Sequence, residues 1–194
     1  MIFMNRPYKL KRRAESQART RQKIVDATIA LHQERGLSAT TVSEIAERAN
    51  VGKVTVYRHF PDDEALLGAC SGKYFEMHPL PDPERWRVAS DPRDRMNLGL
   101  SQSYAYHRET EAMIARVMPE ARDHPVMAPY FEHWRHAVSV LAEVMPVAPR
   151  QDEKLHAVLA LALSFETWRL LVREQGLTDE QAIEAMMRIA AVER

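Results

Sequence analysis

Apolar residues recur with helical spacing along nearly the whole chain, and no stretch alternates as a half-buried strand would. Residues 16–35 place Ile24, Ala27 and Leu31 on one broad stripe, flanked by Val25, Thr28 and Ile29. Gly36 follows and suits the left-handed position just past a helix end. Thr41, with Glu44 three residues later, forms a capping-box pattern. A short helix over 41–48 is therefore expected, burying Val42, Ile45, Ala46 and Ala49. Asn50-Val51-Gly52 reads as a tight turn, because Asn tolerates the left-handed region and Gly occupies it freely. A second short helix over 53–59 follows. Pro61 breaks the chain, and Asp62 caps a longer helix running to about Met77.

Residues 78–92 hold Pro79, Pro81, Pro83 and Pro92 and read as a linker or irregular crossing. Helices are expected again over 92–107, 109–120, 126–144, 152–174 and 178–192. Pro119, Pro125, Pro129, Pro146 and Pro149 punctuate the breaks. Gly176 ends the penultimate helix and Thr178 caps the last. The predicted fold class is all-α: an N-terminal three-helix head containing a helix-turn-helix, then a larger helical body. The predicted division is a basic arm over 1–15, a three-helix head over 16–61 and a body over 62–194.

A chain of 194 residues, 45% of them hydrophobic, is long enough to bury a substantial core. Its single cysteine, Cys70, excludes an internal disulfide framework and a Cys-rich zinc site. No run approaches the 18 or so apolar residues of a membrane span, and the charged N-terminus lacks the apolar core of a secretory signal. A cytoplasmic location is expected. Net charge is zero, yet the charges are segregated. Residues 1–60 carry twelve Lys/Arg against five acids, which is +7, so residues 61–194 carry −7. A basic head on an acidic body points the head at a polyanion.

The pair of helices over 41–48 and 53–59 meets the physical demands of a helix-turn-helix, whose second helix enters the major groove. Ala46 is small where the helices approach. Asn50 and Gly52 permit the turn, and Val51 and Val56 point inward. Lys53, Thr55, Tyr57, Arg58 and His59 face out, and all can donate hydrogen bonds to phosphates or base edges.

The stretch TRQKIVDATIALHQERGLSATTVSEIAERANVGKVTVYRHFPDDEALLGA resembles the DNA-binding domain of the tetracycline-repressor (TetR) family, over roughly residues 18–70. The resemblance implies an N-terminal DNA-binding domain and a variable helical regulatory domain behind it. It implies that Thr41, Val42 and Ser43 open the first helix of the motif at a phosphate. It also implies that Lys53, Val54, Thr55, Tyr57, Arg58 and His59 lie along the recognition helix. Arg58 is expected to read a base, since Arg pairs bidentately with guanine; Tyr57 and His59 position the backbone, and Phe60 packs beneath. Val54 stands where a small residue is common in the family and offers an apolar contact to a thymine methyl. Asp63 stands where the family commonly places a phosphate-holding Lys.

In the body, the resemblance implies a small-molecule effector cavity and a dimer built from the last two long helices. Apolar walls with a few polar handles suit such a cavity. The expected ligand-binding residues are Tyr104, His107, Met113, Met118, Phe131, Trp134, Phe165 and Trp168. The helix over 152–174, about 34 Å long at 1.5 Å per residue, is apolar nearly all round and must be covered on more than one side. Leu159, Leu163, Met186 and Ile189 are the expected dimer residues. His133 and His136 read as a polar face, not a metal pair, and no cofactor is expected. No phosphate loop, nucleophile elbow or zinc-protease signature is present, so enzymatic activity is not expected. The sequence thus predicts a homodimeric regulator that a small-molecule effector releases from a palindromic double-stranded DNA operator. A ligand-independent DNA-binding factor, for chromosome organisation or replication control, is the alternative.

Overall fold

The computed structural model describes residues 6–145 and 153–190, with side chains from Leu10 onward. The described residues are all-α. The expected breaks at Pro146 and Pro149 and the first five residues of the arm lie outside them.

The chain divides into two compact units. Unit 1 comprises Met1–Met77 and Ala115–Val126; unit 2 comprises His78–Ile114 and Met127–Arg194. The sequence-based boundary at 61/62 thus falls inside unit 1.

Unit 1 opens with α1 (Arg6–Arg35), followed by α2 (Val42–Arg48), α3 (Lys53–His59) and α4 (Asp63–Met77). The stripe of Ile24, Val25, Ala27, Thr28, Ile29 and Leu31 is buried, as its spacing predicts. Ile45, Ala46 and Ala49 of the α2 region, Val56 and Phe60 of the α3 region, and Leu66, Cys70 and Tyr74 of α4 complete this core. Gly36 takes φ +87° at the end of α1, and its N–H donates to the His32 carbonyl. The Thr41–Glu44 capping box is present. The Asp62 carboxylate accepts from the Ala65 N–H at 2.8 Å, so the acids at the start of α4 serve the helix N-terminus. α1 begins at Arg6, ten residues before the expected start, because Arg, Lys, Gln and Ala dominate residues 9–23 and all favour helix.

Unit 2 holds the first turns of α5 (Pro92–Ala121), then α6 (Ala128–Ala142), α7 (Glu153–Leu163), α8 (Phe165–Trp168) and α9 (Asp179–Ile189). Three expectations are corrected here. The helices expected over 92–107 and 109–120 are one 30-residue helix, α5, in which Pro119 sits near the C-terminal end. The supposed linker contains a 3₁₀ helix, Pro83–Val88, capped by Asp82, and its Trp86 is wholly buried. A Cβ on Gly99 would come within 3.2 Å of that indole and 3.0 Å of Leu141, so the glycine makes room for the tryptophan. Finally, the helix expected over 152–174 breaks at Ser164 and bends by 57°. Ser164 adopts an extended conformation, and its side chain accepts from the Thr167 N–H to start α8. A π-helical turn, Arg169–Glu174, then continues from α8. Among the described residues, no single helix is long and apolar enough to cross a membrane.

Candidate functional site

The α2–α3 pair is held together by its backbone and by a small core. Asn50 takes φ +54°, the left-handed conformation expected of the turn. Gly52 does not; it is the extended N-cap of α3 (φ −79°, ψ 150°), with no neighbour near a Cβ placed on it. One left-handed residue therefore makes the turn. Val51 N–H donates to the Ala46 carbonyl, and Val56 N–H to Gly52, which fixes the start of α3.

Burial divides α3 into two faces. Val56 is 1% exposed and Phe60, its C-cap, 2%, while Val54 is 81% and Tyr57 54% exposed. Lys53 and Arg58 are exposed, and Thr55 and His59 half-buried. At the start of α2, Thr41 and Ser43 are exposed and Val42 half-buried. Burial, then the positive charges of Arg58 and Arg21, push the His59 imidazole below its ordinary value. The Arg21 guanidinium lies over the Phe60 ring, 4.7 Å from its centroid.

Two of the head's cations are already paired. Arg48 makes a two-pronged contact with Glu34, 2.8 Å for each nitrogen, joining α2 to α1. Arg35 pairs with Glu44 of the capping box. Cys70 is buried, with a thiol pushed up to about 12 by burial, so it stays protonated at neutral pH.

In unit 2, five of the eight expected ligand residues gather in one aromatic cluster centred on His107. The rings of Trp134, Phe165, Trp168 and Tyr104 lie 5.2, 5.7, 6.1 and 6.4 Å from the imidazole, and Tyr106 adds another at 6.1 Å. His107 is fully buried. Its Nε2 lies 2.9 Å from the Leu163 carbonyl, and a carbonyl only accepts, so Nε2 carries the proton. Burial outweighs that hydrogen bond and lowers the imidazole pKa to about 4. His107 Nδ1 and Trp134 Nε1 are buried without a hydrogen-bond partner in the protein. Met113 and Phe131 are half-buried, and Met118 belongs to unit 1. None of the eight lines the open groove of about 490 Å³ between α6 and α7, which Arg135, Val138, Ser139, Glu153, His156, Ala157 and Ala160 form.

Sequence reasoning missed the polar frame of this unit. Trp168 Nε1–H donates to Asp179 at 3.1 Å, and Arg108 reaches the same carboxylate at 2.7 Å. Arg173 stacks 5.0 Å from the Trp168 ring and pairs with Glu111. Arg95, 6% exposed, donates to the carbonyls of Ala89 and Val140. No local pattern announces the pairs Arg108–Asp179, Arg173–Glu111 and Arg95–Val140, because each joins residues far apart in the chain.

Of the expected dimer residues, Leu159, Leu163 and Met186 are buried in their own chain and Ile189 is 54% exposed. Leu161 and Leu170 are also exposed. Among the described residues no cluster of His, Cys, Asp or Glu is arranged to hold a metal. His136 instead meets Glu84 at 2.7 Å.

The α2–α3 pair and the all-α architecture define a helix-turn-helix protein. The family model for bacterial regulatory proteins of the tetR family matches residues 24–70, which span this pair. The transcriptional repressor KstR of Rhodococcus jostii is 35% identical over 109 residues, 54% of this chain and 50% of that protein. KstR of Mycolicibacterium smegmatis is 33% identical over 84 residues, 43% and 41% of the two chains. The matched part spans half or less of the length of these curated relatives. A TetR transcription regulator from Haloarcula marismortui shares the fold with a TM-score of 0.57 at 18% identity, covering 89% of this chain and 94% of that one. NalD, the secondary repressor of the MexAB-OprM multidrug efflux pump in Pseudomonas aeruginosa, does so at 0.54 and 21%, covering 91% and 95%. Residues 24–70 are thus similar to the TetR-family helix-turn-helix domain, and the described residues share the all-α fold of TetR regulators.

Proposed function

We propose that the chain is a cytoplasmic, homodimeric transcriptional repressor that binds a palindromic operator in double-stranded DNA and leaves it when a small-molecule effector binds the body. The observation that carries this reading is the two-faced recognition helix. α3 buries Val56 and turns Lys53, Val54, Tyr57 and Arg58 to solvent. Donors on a rigid helix suit base edges and phosphates. Thr41, Val42 and Ser43 at the start of α2 contact a phosphate, Thr55 and His59 flank the reading edge, and Arg58 reads a base. In this division of labour, residues 1–61 meet DNA and residues 62–194 carry effector binding and dimerisation. The repressor relatives support the sign of regulation.

Dimerisation on α7 and α9 uses the exposed Leu161 and Ile189 together with the small Ala157 and Ala160. The effector site lies at the aromatic cluster of Tyr104, His107, Trp134, Phe165 and Trp168. Effector and operator compete because each favours a different state of the dimer, which requires differential affinity.

The test is selection of bound sequences from a random duplex pool. Enrichment of an inverted repeat supports a dimeric reader, and a pool that stays random refutes DNA reading.

One observation favours the ligand-independent alternative. His107 Nε2 and the Tyr104 hydroxyl already serve the fold, since both bond to carbonyls at the end of α7. If no compound in a broad small-molecule library shifts either melting temperature or operator affinity, that alternative prevails.

A further inference from the structure

We propose that the N-terminal half of α1 is a rigid helical arm that lies along the DNA backbone, with Arg12, Arg19 and Lys23 as its phosphate contacts. This inference rests on the DNA-binding reading above and extends that interface beyond the helix-turn-helix.

From residue 10 to Lys23 no residue of α1 is buried; the packed part of the helix begins only at Ile24. Fourteen residues at 1.5 Å each make a rod of about 21 Å. Such a segment gains nothing from the core and is marginal as an isolated helix in water, so an external partner is what its order would serve. Arg12, Arg19 and Lys23 are spaced seven and four residues apart, which places them within an arc of roughly 40° on one face. All three are exposed. Over the whole arm, residues 6–23, Glu15 is the one acid.

The root of the arm adjoins the recognition helix. Arg21 covers the Phe60 ring at the end of α3, and its charge acts on His59. Arg21 itself lies about 180° around α1 from the Arg12–Arg19–Lys23 stripe, so the root meets α3 on one face of the helix and the stripe turns to solvent on the other. An anionic membrane is the other surface a basic helix can meet, but that requires an apolar face opposite the charges. Here Leu10 is the only large apolar residue between positions 10 and 23. Nucleic acid is the partner the chemistry fits.

The experiment compares the full chain with an R12Q/R19Q/K23Q variant on the duplex selected from the random pool and on an arbitrary duplex of equal length. Kd is measured across a salt titration. Three lost phosphate contacts lower the slope of log Kd against log salt by roughly 2.7. The weakening between 50 and 200 mM salt then shrinks by roughly 40-fold. The ratio of selected to arbitrary affinity stays unchanged, and R12K/R19K/K23R keeps the original slope. Gln17→Pro, which retains every charge but interrupts the rod, loses part of the slope; full retention overturns the rigid-arm geometry. An unchanged slope in the triple variant overturns the proposal while leaving the DNA reading intact. A wild-type chain that enriches no duplex overturns both. Loss of binding to anionic vesicles with unchanged DNA binding reassigns the stripe to a membrane and also refutes it.

Discussion

His107 Nε2–H donates to the carbonyl of Leu163 at 2.9 Å, at the point where α7 stops. One turn earlier on α5, the Tyr104 hydroxyl donates to Ala162 at 3.2 Å. The last carbonyls of a helix lack intrahelical donors, and Ser164 ends α7 in the middle of the apolar core. Two polar side chains on α5 therefore complete the hydrogen bonding of the break. That relationship explains why His107 and Tyr104 sit on the buried face of α5.

It also sets a pH dependence. Burial holds the imidazole pKa near 4, against 6.5 for an unperturbed histidine. The neutral ring is the form the fold prefers, so its contribution is complete above about pH 6.5 and is lost as pH falls towards 4. A pKa lowered that far is equivalent to about 3 kcal/mol of preference for the neutral ring. Urea unfolding of the wild type and His107→Gln, at intervals from pH 7 to 4.5, measures it. The glutamine retains a donor for Leu163, so the variant folds, and its stability should fall less steeply with acid. His32, His59 and His133 titrate in both proteins and cancel. Parallel pH profiles would refute the assignment.

The head was legible because its signals are local. A capping box, a C′ glycine and a stripe with period 3.6 each lie within a few residues, and the Thr41–Glu44 and Gly36 features form as the sequence predicts. The body was less legible where long-range packing decides. Nothing near Ser164 marks it as a helix break, since the run from Ala157 to Trp168 reads as one apolar helix; the break needs Tyr104 and His107 from another element. Trp86 was hidden by the prolines around it, and its burial depends on Gly99 thirteen residues away. Apolar periodicity cannot separate a chain's own core from a shared one; of the expected dimer residues, Leu159, Leu163 and Met186 are buried within the chain itself.

Asp179 is predicted to hold unit 2 together through Trp168. Its carboxylate accepts the indole N–H of a fully buried tryptophan. Asp179→Ala leaves that donor unpaired, at a cost of about 1–3 kcal/mol. Asp179→Asn keeps an acceptor there and should recover at least half of the loss. Chemical denaturation followed by tryptophan fluorescence reads both. Equal losses would show that the Arg108 charge, and not the indole, is the important partner.

Two glycine substitutions should act with opposite sign. Gly36 needs its positive φ, and a Cβ there would lie 2.5 Å from the Glu120 carboxylate that accepts from the Ser38 N–H. Gly36→Ala is expected to destabilise by roughly 1–2 kcal/mol from the left-handed backbone alone. Gly72 lies inside α4 with open space around it, so Gly72→Ala should stabilise by roughly 0.5–1 kcal/mol. Thermal melts of the two variants check the pair, and a destabilising Gly72→Ala would mean that α4 has a neighbour at that face in the assembled protein.

The last prediction separates the two arginines of the helix-turn-helix. Arg48 has both guanidinium prongs on Glu34, whereas Arg58 stands exposed on the outer face of α3. Exposed ion pairs contribute little to stability, so neutralising either residue leaves the fold intact and isolates its effect on DNA. Arg58→Gln should reduce the preference for the selected duplex over an arbitrary one by about 5- to 150-fold, the equivalent of 1–3 kcal/mol for a lost bidentate base contact. Arg48→Gln should leave both that preference and the salt slope unchanged, because its charge is already satisfied within the protein. Competition binding with the two duplexes measures each ratio. If Arg58→Gln weakens both duplexes equally, Arg58 holds a phosphate and sequence reading passes to Val54, Thr55 and Tyr57. If Arg48→Gln is the more damaging change, the Glu34 pair opens on DNA and the charge inventory of the interface must include it.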